Sequence, residues 1–121
     1  MGKIKPVKKY KIQNKTKRNL ADKIAREFAN SVRKKLENHV KEIILFGSRA
    51  RGDFTEGSDY DILIVVDKRD RQIQEIILDE SAEIMDKYDA LIGYIVCDED
   101  EWEKKKKFPI GLNILKEGIE I

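Results

Sequence analysis

Two aspartates, Asp59 and Asp61, head the apolar run Ile62-Leu63-Ile64-Val65-Val66, and ten residues before them a Gly47-Ser48 pair closes a second run, Ile43-Ile44-Leu45-Phe46. Residues two apart in a strand leave from the same face, with Cα atoms about 6.6 Å apart at ~3.3 Å per residue. Two like charges at the mouth of a buried strand repel each other and resist desolvation unless a cation lies between them. Mg²⁺ suits such a pair, because it takes oxygen ligands and is commonly held by one or two carboxylates together with substrate phosphates; Mn²⁺ is the alternative. The carboxylate pair therefore calls for a nucleotide.

The loop between the runs answers to a phosphate. Gly47 and Gly52 permit close backbone approach, and Ser48 offers a hydroxyl and an N–H where a turn or short helix can begin. Arg49 and Arg51 follow; one of them can reach a triphosphate with the multi-donor contact of a guanidinium, leaving the other to solvent.

These residues need a strand, a loop and a second strand, and the rest of the chain supplies the support. Leu20, Ile24, Phe28, Val32 and Leu36 recur every four residues, with Ala21, Ala25 and Ala29 beside them, which predicts a long amphipathic helix capped near Asn19 to Asp22. Strands are expected at about 41–46 and 60–66. A helix over about 70–88 carries Ile73, Ile76, Ile77, Ile84, Met85 and Tyr88 on one side, and a third strand runs from Ala90 to Cys97. Asp98-x-x-Glu101 reads as a cap for a helix bearing Trp102, and a last helix over about 110–117 should stop at Gly118. The expected fold is α/β (α+β), a mixed sheet of about four strands with helices packed on one face and the site at the Gly47–Asp61 edge. Residues 1–15 form a basic arm and 16–121 one domain.

The string Gly47-Ser48, ten residues, Asp59-x-Asp61 resembles the signature of the polymerase-beta nucleotidyltransferase superfamily. Its longer form, Gly-Ser-Arg-Ala-Arg-Gly followed by Ser58-Asp59-Tyr60-Asp61, is similar to the minimal nucleotidyltransferase (MNT) group of bacteria and archaea. The resemblance is strongest over about 40–66 and extends, in element order, over about 17–117. It implies transfer of a nucleoside monophosphate, AMP from ATP or the equivalent from another nucleoside triphosphate, to a hydroxyl. Asp59 and Asp61 would be the catalytic metal ligands, with nucleotide-binding places for Gly47, Ser48, Arg51 and Ser58. It also implies a third carboxylate near the second strand. Asp89, at the head of the third strand, is the candidate, against the alternative of an Asp that caps the helix-to-strand junction. Minimal nucleotidyltransferases are commonly paired with an all-helical HEPN protein in toxin–antitoxin arrangements, so the resemblance implies such a partner, with this chain as antitoxin and a partner tyrosine as acceptor.

Composition sets bounds. A chain of 121 residues can bury one core and is too short for two. Apolar and charged residues each make up 40%, and the net charge is only +2, which gives no whole-chain attraction to nucleic acid. One cysteine, Cys97, excludes an internal disulfide and fits a reducing compartment. Without an apolar run near 18 residues nothing is expected to span a membrane, and the lysine-rich start lacks a signal peptide's apolar stretch, so the cytoplasm is expected.

Other features have structural readings. Lys104 to Lys107 reads as a solvated helix face, His39 as a residue near a helix end, Cys97 as a packed thiol, and Asp67, Asp70 and Asp79 as turn, cap and helix surface. Trp102 and Phe108 are either core residues or anchors for a partner. Two further function classes stand beside the enzyme: a degenerate scaffold that neutralises a partner by binding, and a basic nucleic-acid-binding domain resting on the arm and Lys104 to Lys107. A homo-oligomer is compatible with all three.

Overall fold

Ile24, Ala25, Phe28, Ala29, Val32 and Leu36 are all buried, and the segment that carries them is helix α1 (Lys15–Leu36). The chain is seen in a computed structural model that describes residues 15–121, with side chains from Lys23 onward. The arm over 1–15 lies outside these residues except for Lys15, which opens α1, so the helix starts ahead of the cap expected at Asn19 to Asp22. A 3₁₀ turn, Glu37–His39, leads into β1 (Val40–Phe46). Next come α2 (Ser48–Arg51), β2 (Tyr60–Val66), α3 (Arg71–Tyr88) and β3 (Ile92–Asp98), then α4 (Glu99–Lys105), α5 (Pro109–Glu117) and β4 (Ile119–Glu120).

The sheet has the order β3-β2-β1-β4. β1 runs antiparallel to β2, pairing Phe46 with Asp61, and antiparallel to β4, pairing Leu45 with Ile119. β2 runs parallel to β3, pairing Asp61 with Gly93. The central position of β2 explains why Ile62 to Val66 are all buried, since both faces of that strand are covered.

Alternation along the strands divides the core in two. Val40, Ile43 and Leu45 of β1 join Tyr60, Ile62, Ile64 and Val66 of β2 beneath α1 and α3. Ile44, Leu63, Val65 and Cys97 face the other way and meet Trp102 of α4 and Ile114 of α5. The mixed four-stranded sheet is the one expected. Helices on a single face hold for α1 and α3, whereas α4 and α5 cover the opposite face, where Trp102, 2% exposed, is the central side chain and not a partner anchor.

The helix ends follow the local chemistry. Asp70 accepts the Ile73 N–H at 2.9 Å and starts α3. Asp98 accepts the Glu101 N–H at 2.8 Å while the Glu101 carboxylate accepts the Asp98 N–H at 2.9 Å, a reciprocal capping box for α4. Pro109 occupies the first turn of α5. Gly111 is needed because a Cβ there would run into the Lys105 carbonyl of α4, so the two short helices touch backbone to backbone.

Candidate active site

The register gathers the ends of β1, β2, β3 and α5 at one end of the sheet. Tyr60 turns into the core under α1 and α3. Its neighbours Asp59 and Asp61 therefore leave from the opposite face, the one on which α5 ends. Asp59 is exposed and Asp61 half-buried. Burial pushes the Asp61 carboxyl above the usual carboxylate range, the charges of Asp59 and then Glu117 push it the same way, and Arg51 opposes them.

Gly47 has φ +75°. A Cβ at this position would fall on Oδ2 of Asp61, so the loop lies against the carboxylate at a distance that only glycine allows. The Gly47 carbonyl accepts the Ala50 and Arg51 N–H groups at 3.1 and 3.0 Å, winding the single turn of α2 that Ser48 opens. Gly52, in the left-handed region at φ 92°, closes it. Among the described residues the Ser48 hydroxyl has no hydrogen-bond partner.

The two arginines have different tasks, and neither is simply solvated. Arg49 is buried, its guanidinium 4.4 Å from the Phe54 ring centroid and 4.3 Å from that of Tyr60. It donates to the Ser58 carbonyl from Nε and Nη2 (3.1 and 2.9 Å) and to the Glu56 carbonyl from Nη2 (3.1 Å). Arg49 is thus the clamp that shapes the loop ahead of Asp59, which corrects the expectation of a second arginine in solvent. Its sequence signal was the pair of aromatics, Phe54 and Tyr60, flanking the loop. Arg51 is half-exposed and stands at the site, donating to Asp53 from Nε (3.2 Å) and to Glu117 from Nη1 (2.9 Å).

Ser58 is engaged inside the loop. Its hydroxyl accepts the Thr55 N–H at 3.0 Å and its N–H donates to the Thr55 carbonyl at 3.1 Å, so this side chain shapes the approach to Asp59. Asp89 terminates α3 in the left-handed region (φ 51°, ψ 42°) and is exposed. It precedes β3, and the β3 residue beside Asp61 is Gly93. The acid that acts on Asp61 besides Asp59 is Glu117, the last residue of α5, which sequence reasoning passed over; the only trace of it was a Glu preceding the helix-stopping Gly118. Among the described residues no group of three or more His, Cys, Asp or Glu side chains is arranged to hold a metal ion.

The fold and the loop define a class, and comparison with known proteins agrees. Residues 25–118 match the family model described as a nucleotidyltransferase domain, and the chain belongs to that family. It is a nucleotidyltransferase. Two relatives come from Methanocaldococcus jannaschii. "Putative protein adenylyltransferase MJ0604" is 42% identical over 84 residues, covering 69% of this chain and 80% of the relative. "Putative protein adenylyltransferase MJ0141" is 43% identical over 63 residues, covering 50% and 63% respectively. Among solved structures, a nucleotidyltransferase so named from Sulfolobus solfataricus is similar at TM-score 0.52 and 28% identity, covering 86% of this chain and 81% of its own. A chain from a structure described as a toxin–antitoxin with AMP-PNP has TM-score 0.53 at 15% identity, covering 78% and 69%, a likeness of fold. No helix of the described residues is long and apolar enough to cross a membrane.

Proposed function

We propose that this chain moves AMP from ATP to a protein hydroxyl, that the acceptor is a tyrosine of a HEPN-type helical partner, and that the modification neutralises the partner as a toxin. The observation that carries the reading is the contact of the Gly47 loop with Asp61, which brings a phosphate-accommodating turn against a carboxylate pair. The adenylyltransferase names of the relatives and the toxin–antitoxin context of the structural neighbour support nucleotide, acceptor class and partner. A cytoplasmic site of action belongs to the same reading.

In the transfer, the acceptor hydroxyl oxygen bonds to the α-phosphorus of ATP, the bond from that phosphorus to the bridging oxygen of pyrophosphate breaks, and the hydroxyl proton is released. Ser48 and Arg51 hold the polyphosphate by hydrogen bonds and charge. Asp59 and Asp61 fit Mg²⁺ or Mn²⁺: both are oxygen donors on one strand face, and Asp61 bears a negative charge raised in energy by burial and like neighbours, which a cation relieves. When bound, the cation supplies charge neutralisation at the phosphates.

A second reading, a scaffold that neutralises its partner by binding alone, is favoured by one observation: the β3 position facing Asp61 is Gly93 and not an acid, while Asp89 lies at the end of α3. Co-expression with the candidate toxin, followed by mass spectrometry of that toxin, separates the two. Transfer requires an adduct with the mass of AMP less water that is lost in the Asp59→Asn/Asp61→Asn variant. Neutralisation without an adduct supports the scaffold.

A further inference from the structure

A carboxylate at the C-terminal end of a helix opposes the macrodipole and needs a compensating partner. Glu117 ends α5 in that unfavourable place. Among the described residues its compensation comes from the phosphate loop, about seventy residues earlier in the chain: one oxygen, Oε2, accepts the Gly47 N–H at 2.6 Å and the Arg51 Nη1 donor at 2.9 Å. The side chain is 18% exposed, so both bonds form in a partly desolvated setting, where charge-assisted bonds are strongest.

Two consequences follow from the atoms involved. The Gly47 amide is already taken, so the loop's contribution to an anion falls to Ser48 and to Arg51. Arg51, in turn, has Nε tied to Asp53 and Nη1 tied to Glu117, which fixes the plane of the guanidinium and leaves its third nitrogen, Nη2, without a partner among the described residues. A guanidinium fixed on two sides loses less side-chain freedom when it meets a phosphate than a free one does.

We propose that Glu117 is a positioning residue for nucleotidyl transfer, holding Arg51 in register for the polyphosphate of the incoming nucleotide and pinning Gly47 against Asp61. The proposal rests on the nucleotide-binding function proposed above and extends it to a residue of the C-terminal helix. It also gives α5 a role at the site besides covering the sheet, because Ile114 in its preceding turn is locked in the core with Trp102.

The opposite role is physically distinct and leaves the opposite signature. A carboxylate that merely occupied the anion's place would compete with phosphate, and its removal would tighten binding. Calorimetric titration with α,β-methylene-ATP and Mg²⁺, on wild type, Glu117→Gln, Arg51→Ala and the double variant, reads the sign. The glutamine keeps an oxygen for the Gly47 N–H and withdraws the charge from Arg51. Positioning predicts Kd raised by about tenfold in Glu117→Gln, with a thermal midpoint near that of wild type. The double variant should bind no more weakly than Arg51→Ala alone, because the two residues act as one unit. Tighter binding, unchanged binding, or additive losses overturn the proposal. Should Glu117→Gln fail to fold, Glu117→Asp, which keeps the charge but falls one methylene short of Arg51, decides it: weakened affinity supports the proposal, and unchanged or tighter affinity overturns it. Absence of binding by folded wild type would instead overturn the nucleotide-binding reading, and the Glu117 proposal with it.

Discussion

Asp61 Oδ2 fills the space into which a Cβ at position 47 would project. The two residues lie ten and more positions apart in sequence, yet neither can be altered independently. With φ at +75°, any side chain at 47 adds backbone strain, ~1–2 kcal/mol, to that collision. Gly47→Ala should therefore displace the carboxylate. Transfer activity is expected to fall about 10²-fold or more, with the loss in kcat as much as in KM, while far-UV circular dichroism remains that of a folded chain. Full activity in Gly47→Ala would show that the contact is not needed for catalysis.

Arg49 is expected to be a stability residue. Its removal leaves the Glu56 and Ser58 carbonyls without their donor and empties the space between Phe54 and Tyr60. Urea denaturation of Arg49→Ala should show a loss of about 2–4 kcal/mol, and Arg49→Lys should recover less than half, because an ammonium cannot make the forked contact. Arg51→Ala, at a half-exposed position, should cost less, about 1 kcal/mol, because the Gly47 N–H still holds the Glu117 carboxylate.

The α4 cap gives a pH signature. The Arg69 guanidinium, with the Asp98 N–H, holds the Glu101 carboxyl down at about 2, below its ordinary 4.5. A depressed acid stabilises the fold fully above 4.5, and that contribution fades as pH falls toward 2. Glu101→Gln should accordingly cost about 1 kcal/mol or less at pH 7, given the exposure of the pair, and the gap from wild type should close between those two values. A gap that stays constant down to the acid limit would remove the charge from the explanation.

The aromatic pair on the C-terminal helices should split. Trp102→Ala opens a cavity in the second core and should cost ~3–5 kcal/mol. Phe108 is 60% exposed, near the exposed Ile110 and Leu112, and Phe108→Ser should change stability by about 0.5 kcal/mol at most. Pull-down of the co-expressed partner tests whether Phe108→Ser weakens complex formation; undiminished capture would place the interface elsewhere.

The parts legible in the sequence were those written in local pattern. The four-residue recurrence of Ile24, Phe28, Val32 and Leu36, the apolar runs of β1 and β2, and the Asp98–Glu101 cap each announce their element within a few neighbours. The Gly-Ser loop and the Asp pair were legible because fixed types at fixed spacing carry them. What escaped is long-range. Glu117 reaches Gly47 only because β4, two residues long, pairs beside β1 and turns the end of α5 toward the loop. The burial of Arg49 depends on aromatics on both sides of a turn whose path no periodicity encodes. Helices α4 and α5 were read as elements, but their face of the sheet is set by which strand residues remain uncovered.

The central claim is that Asp59 and Asp61 serve chemistry and not the fold. The most direct measurement is transfer of label from α-³²P-ATP to the co-purified partner in Mg²⁺, by wild type and Asp59→Asn/Asp61→Asn, with thermal melts of both in EDTA. Removal of two mutually repelling carboxylates, one of them disfavoured as a charge by burial, should abolish labelling and leave the metal-free melting temperature equal or slightly raised. A double variant that still labels the partner, or that melts well below wild type in EDTA, would contradict the account.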